Sequence, residues 1–247
     1  MEHPWSLRPE PRDRIVEADM PATLQITCQP PAAARSELRP EFGTEFAQRH
    51  ADARADPAEF RESMLPFLDT LPENAGPPNI YKRFPDLYRL WSQMSELLMN
   101  GPSPFSQQER EVLLAFAAGE MGCAFVLTGH SEVAYARGLP RGSIDALLAD
   151  IETAPVEDRL RPVLRFVRHL ARQPDDVTRA HVDAMFAAGW DEQAMHDAVA
   201  ITARAAFMHR LVAGFGFGPL DPELAASHAR KRVERGYVRL YSGFSER

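Results

Sequence analysis

Glu111, Cys123 and His130 are the residues of this chain whose types and spacing could do chemistry together. Cys123 and His130 lie in the segment Glu120-Met121-Gly122-Cys123-Ala124-Phe125-Val126-Leu127-Thr128-Gly129-His130, and Glu111 stands twelve residues before the cysteine. A thiol, an imidazole and a carboxylate gathered in this way suit thiol redox chemistry or proton transfer. The spacing nearly fits a redox pattern of Glu, eleven residues, Cys, two residues, Cys, three residues, His. The second cysteine is missing, and Val126 stands in its position.

Two helices must hold these groups. Ser106 can cap the first, with Glu109 three residues on completing a capping box, so a helix is expected over 106–121. Gly122 permits a break, and Cys123 then opens a second helix over 123–137, closed by Gly138. A cysteine at a helix N-terminus feels the partial positive charge of unpaired amides, which favours the thiolate. The competing reading is a buried cysteine acting as a small hydrophobe. His130 lies on the same side as Cys123 but about 10 Å further along the axis. The residue placed to touch the imidazole is four back, Val126. The same face carries Leu127, Val133 and Ala134, so His130 is either a core histidine satisfied by one hydrogen bond or half of an acid–base pair with Glu111.

The match extends beyond this segment. Gly101-Pro102-Ser103-Pro104-Phe105-Ser106 and Glu109-Arg110-Glu111 precede it, Gly138-Leu139 follows, and Phe207-Met208-His209-Arg210-Leu211-Val212-Ala213-Gly214-Phe215-Gly216 comes later. Together these resemble the alkylhydroperoxidase D-like proteins of the carboxymuconolactone decarboxylase superfamily, in their peroxidase-related branch, over roughly residues 66–219. The resemblance implies an all-α alkylhydroperoxidase D-like helical bundle. It implies catalytic roles for Cys123, His130 and Glu111, with the carboxylate in a proton relay with the histidine. In the family pattern the position of Val126 holds a second, more exposed cysteine, and the position of His209 usually holds an amide. Phe125 and Val126 depart from the pattern; with Leu127 and His209 they form the expected pocket. The resemblance also implies a homo-oligomer, a dimer, trimer or hexamer.

Composition narrows the alternatives. A chain of 247 residues with 45% apolar residues suits one domain with an appended arm. A net charge of −7 gives no footprint for nucleic acid. No apolar run approaches the length needed to span a bilayer, and the start lacks a signal-peptide pattern. Cys28 and Cys123 make no disulfide scaffold, so a cytoplasmic location is expected. No histidine or cysteine spacing suits a metal site, and no phosphate loop or dinucleotide fingerprint is present, so neither metal nor cofactor is expected.

The chain divides into an N-terminal arm at 1–55, partly extended around residues 23–28, a helical domain at 56–220, and a C-terminal helix with a basic tail at 221–247. Apolar spacing predicts helices near 57–70, 85–99, 106–121, 123–137, 142–151, 156–172, 178–188 and 191–214. The last is rich in small residues (Ala198, Ala200, Ala203, Ala205, Ala206) and suits the core or a subunit interface.

Three functions follow. The first is an alkylhydroperoxidase-like antioxidant oxidoreductase using Cys123 alone on a small hydroperoxide or organic substrate, with an external thiol as reductant. The second is a cofactorless decarboxylase, lyase or isomerase using Glu111 and His130. The third is a non-catalytic binding or assembly protein.

Overall fold

The computed structural model describes residues 65–240. Among these there are helices and no strand: α1 (Pro77–Arg83), α2 (Pro85–Asn100), α3 (Gln107–Glu120), α4 (Ala124–Ala136), α5 (Ser143–Ala149), α6 (Arg161–Arg172), α7 (Arg179–Ala187), α8 (Glu192–Gly214) and α9 (Pro222–Arg235). Short 3-10 turns occupy Asp158–Leu160 and Pro174–Asp176. The all-α expectation holds. No helix among the described residues is long and apolar enough to cross a membrane.

Local chemistry accounts for the boundaries. The Glu109 N–H donates to Ser106 Oγ at 3.1 Å, and the Ser106 N–H donates back to Glu109 Oε2 at 2.7 Å, closing the capping box that opens α3. Asp191 caps α8 through the Ala194 N–H at 2.8 Å, and Asp221 caps α9 through the amides of Glu223 and Leu224. Between α3 and α4, Gly122 adopts φ +73, a left-handed conformation open to glycine at little cost. The Cys123 N–H then reaches back to the Ala118 carbonyl at 2.8 Å, so the chain reverses within three residues.

Helix α3 is the centre of the molecule. Every residue from Arg110 to Ala118 is buried, and the helix packs against α4, α8, α6 and α5. Helix α8 also packs against α4 and α6, as its small residues suggested: Ala194, Ala198 and Ala205 are fully buried in the main core. Arg110, itself buried, donates from Nη1 to the Leu98 and Gly101 carbonyls at 2.9 Å, pinning the α2–α3 loop to the central helix.

Two expectations need correction. The segment near 57–70 is not helical over residues 65–70, and α1 forms instead where Pro77 and Pro78 start a turn behind Gly76. The C-terminal helix, set apart from the helical domain at 221–247, is α9 and is part of the bundle: it packs along α4 of its own chain, with Ala225 and Ala229 buried. The buried face of this helix is two alanines while its larger apolar residues, Leu224 and Val233, are exposed, which is why periodicity did not reveal the contact. The N-terminal arm, including Cys28, lies outside the described residues.

Candidate active site

Glu111 and His130 meet in the structure. Glu111 projects from the central helix α3, is fully buried, and places Oε2 at 2.7 Å from His130 Nδ1 on α4. A third member comes from the C-terminal segment, which sequence reasoning did not connect to the site. The Tyr237 hydroxyl donates to Glu111 Oε1 at 2.7 Å, and its ring lies nearly parallel to the imidazole. Both carboxylate oxygens are therefore occupied.

Tyr237 reaches this position through a specific turn. Gly236 ends α9 at φ +71, and a Cβ there would collide with Glu96 Oε2. The same Glu96 oxygen accepts the backbone N–H groups of Tyr237 and Val238, so a carboxylate on α2 holds the turn. Two guanidiniums cover the phenol, Arg204 at 5.0 Å and Arg232 at 5.2 Å from the ring centroid.

These contacts fix the protonation states. Burial alone would push the Glu111 pKa up; His130, the Arg232 charge and the Tyr237 hydrogen bond outweigh it, and the carboxyl sits below its ordinary value. Burial also pushes the His130 pKa down to about 4, against the opposing pull of Glu111. At neutral pH the pair is a carboxylate and a neutral imidazole. Because a carboxylate only accepts, the imidazole proton is on Nδ1, and Nε2 carries the lone pair. Nε2 has no hydrogen-bond partner among the described residues. Burial and the negative charge of Glu111 raise the Tyr237 pKa, so the phenol stays protonated as a donor.

His130 and Tyr237 line a cavity of about 1400 Å³. Its apolar walls include Tyr81, Trp91, Phe125, Val126 and Met208, while Arg204, Lys231 and Arg232 supply positive charge. Phe125 and Val126 are thus where a pocket was expected. Leu127 is not on the cavity wall and packs between the two apolar clusters. His209 is also off the wall: it is partly buried, its neighbour Met208 faces the cavity, and desolvation lowers its pKa. Among the described residues no cluster of three or more His, Cys, Asp or Glu could hold a metal.

Cys123 occupies the N-cap of α4 as expected, but its surroundings differ from the expectation of a thiolate. It is 2% exposed, packs among Ile80, Tyr81, Tyr88, Ala118 and Met208, and does not line the cavity. Burial pushes its pKa up to about 11, overriding the Val126 amide, which favours the thiolate. Desolvation wins over the helix terminus. Relative to an ordinary thiol this leaves the thiolate about a hundredfold scarcer at pH 8. Alkylation of Cys123 by iodoacetamide should therefore be at least that much slower in the native protein than in denaturant. Peptide mapping of a labelling time course measures it, and rapid native labelling would reverse the assignment.

No family model matches the sequence, and no curated protein matches it. Solved structures do. A peroxidase-related protein from Ralstonia eutropha JMP134, described as an alkylhydroperoxidase AhpD core, matches with a TM-score of 0.55 and 20% identity, over 61% of this chain and 78% of its own. A peroxidase-related protein from Silicibacter sp. TM1040 matches with a TM-score of 0.50 and 19% identity, over 62% and 91%. A protein of unknown function from Agrobacterium tumefaciens, linked by its description to AhpD and antioxidant defence, matches with a TM-score of 0.51 and 14% identity, over 58% and 97%. At these identities the likeness is one of fold: the helical domain has the alkylhydroperoxidase D-like arrangement.

Proposed function

We propose that this protein is an acid–base enzyme in which Nε2 of His130 removes a proton from a substrate held in the cavity. The observation that carries the reading is the carboxylate–imidazole–phenol relay, buried on one side and open to a large cavity on the other. Glu111 orients the neutral tautomer and stabilises the imidazolium that forms when Nε2 takes the proton. Tyr237 holds the second carboxylate oxygen, so Glu111 cannot turn away from the ring. A proton on carbon next to a carbonyl fits this base, because its removal leaves an enolate that the positive cavity wall can stabilise. Return of the proton at a different carbon gives isomerisation; loss of a leaving group from the carbon next to the enolate gives elimination; loss of CO2 from a 3-oxo acid gives the same kind of enolate, which then takes a proton from solvent.

The peroxidase reading based on Cys123 alone has less support. A hydroperoxide must reach a thiolate, and Cys123 is neither ionised at neutral pH nor on the cavity wall.

Proton exchange tests the reading without knowledge of the physiological reaction. A panel of 2-oxo acids, 3-oxo acids and lactones incubated with the protein in D2O should include compounds whose carbon-bound protons exchange, followed by 1H NMR. His130→Gln should slow that exchange by about 10²- to 10⁴-fold. Exchange that survives His130→Gln, or none across the panel, would sink the proposal.

The reading includes a homo-oligomer, with a change of interface. The alanine-rich helix faces the core, whereas Leu87, Leu90, Met94 and Leu97 on α2 are exposed at three- and four-residue spacing. That is the seam spacing by which two like helices pack, so the matching occupant is α2 of a second copy. Light scattering should show at least a dimer at micromolar concentration, and the double variant Leu90→Asp/Leu97→Asp should be monomeric. A monomeric wild-type chain would exclude the interface.

A further inference from the structure

Arg204 presents an electrostatic problem that the relay does not solve. It projects from α8, is 5% exposed, and lines the cavity beside His130. Its Nε donates to Ser95 Oγ at 3.2 Å, and its guanidinium lies over the rings of Trp91 and Tyr237. Its Nη1 is buried with no hydrogen-bond partner, and among the described residues no carboxylate pairs with it. Removing a guanidinium from water is costly unless a counter-charge and acceptors replace the lost hydration. The nearby carboxylate, Glu111, already accepts from His130 and Tyr237 with its two oxygens.

The remaining charges on the wall point the same way. Arg232 and Lys231 come from α9; His228 lies beside them, but burial and those two charges lower its pKa, so it is neutral at neutral pH. Two carboxylates also border the cavity, but Asp221 is engaged in capping α9, and Glu73 lies in the exposed loop before α1. Among the described residues, then, no carboxylate on the cavity wall pairs with Arg204. Around it the wall is apolar, with Trp91, Phe125, Val126, Met208 and Leu220.

We propose that the cavity takes an organic carboxylate with an apolar body, its carboxylate paired with Arg204 beside the relay. This deepens the acid–base reading by naming its substrate class, and it rests on that reading only for the use made of the bound anion. A planar carboxylate suits the guanidinium fork, which can supply two parallel donors. Bound there, it places the carbons nearest the carboxylate next to the imidazole, where a base must act. The anion would also offset the charge of Arg204, which opposes protonation of His130. The apolar body would lie against Trp91 and Phe125. The volume, about 1400 Å³, exceeds what a two- or three-carbon acid could fill.

Isothermal titration calorimetry with 4-phenylbutyrate and decanoate, each beside its neutral alcohol (4-phenylbutanol and 1-decanol), tests the proposal on the full chain. At least one acid should bind the wild-type protein ten times or more tightly than its alcohol. Arg204→Gln should remove that preference, while binding of the alcohol stays within about threefold. His130→Gln should keep the preference for the acid, because it alters the base and not the anion contact. Failure of the acid–base reading would thus appear in proton exchange and leave this result intact. Should Arg204→Gln not fold, the wild-type comparison of acid with alcohol still decides. Equal binding of acid and alcohol, binding of neither acid, or an acid preference unchanged in folded Arg204→Gln would overturn the proposal.

Discussion

Replacing Glu111 with leucine is expected to destabilise the protein by about 3–5 kcal/mol, a large share of the total for a domain of this size. Leucine fills a similar volume, so the loss is electrostatic rather than steric. The change strands the Nδ1–H of His130 and the hydroxyl of Tyr237 inside the protein and removes the negative charge facing Arg232. Glu111→Gln should cost less, since its carbonyl oxygen can still accept one of the two donors. Glu132→Gln, which loosens a pair with the exposed Arg141, should cost under about 1 kcal/mol. Urea denaturation at constant m-value measures all three. A Glu111→Leu cost as small as that of Glu132→Gln would mean the relay is not buried as described.

Acid probes the same group from the other side. In the unfolded chain His130 titrates near 6.5, and in the folded protein near 4. Between those values the unfolded state binds a proton that the native state refuses, so stability falls as pH falls from about 6.5 to about 4. A pKa lowered by that much corresponds to about 3 kcal/mol. Glu111 acts in the same direction at lower pH: its carboxylate is favoured in the fold, and that contribution disappears as the pH drops below the ordinary glutamate range. His130→Gln should flatten the upper part of this window, and an unchanged acid limb would show that another group controls it.

The residues that bear on this prediction differ in how visible they were in the sequence. The capping box at Ser106 and Glu109 and the break at Gly122 are local signals that mark the bounds of α3 and α4, whereas the pairing of Glu111 with His130 was implied by the resemblance to alkylhydroperoxidase D-like proteins. The helical fold was legible for the same reason, since caps and apolar spacing act within a few residues. Tyr237 was not legible. Its place depends on a contact between segments 126 residues apart, on a glycine turn held by Glu96, and on a helix that hides its packing face behind two alanines. Cys123 failed in another way. Its position at a helix start was read correctly, but position says nothing about desolvation, and burial among Ile80, Tyr81 and Met208 reverses the expected sign of the pKa shift. His209 and Met208 are adjacent in sequence, and only the rotation of α8 decides which faces the cavity.

That distinction between a thiol's position and its surroundings gives the second large effect. Val126 is on the cavity wall, one turn into α4 from Cys123 and one turn before His130. Val126→Cys would place a thiol where a hydroperoxide can reach it, near the helix N-terminus and four residues from an unprotonated imidazole able to take its proton. The introduced thiolate would take one oxygen from the hydroperoxide, releasing an alcohol and becoming a sulfenic acid. Cys123, three residues earlier, would then condense with it, releasing water and forming an intrahelical disulfide that an external dithiol reduces. Here burial of Cys123 matters less, because the step needs a resolving thiol within reach rather than one open to solvent. The variant should therefore gain dithiol-dependent peroxidase turnover that the unmodified chain lacks. The cost should be under about 1.5 kcal/mol, as the side-chain volumes are similar. Free-thiol counts and peroxide consumption, read for both proteins in a Cys28→Ser background, measure the gain. Robust turnover by the chain that keeps Val126 would show that Cys123 works alone after all, and absence of a disulfide in the oxidised variant would show that its thiol cannot leave the core cluster to meet a partner.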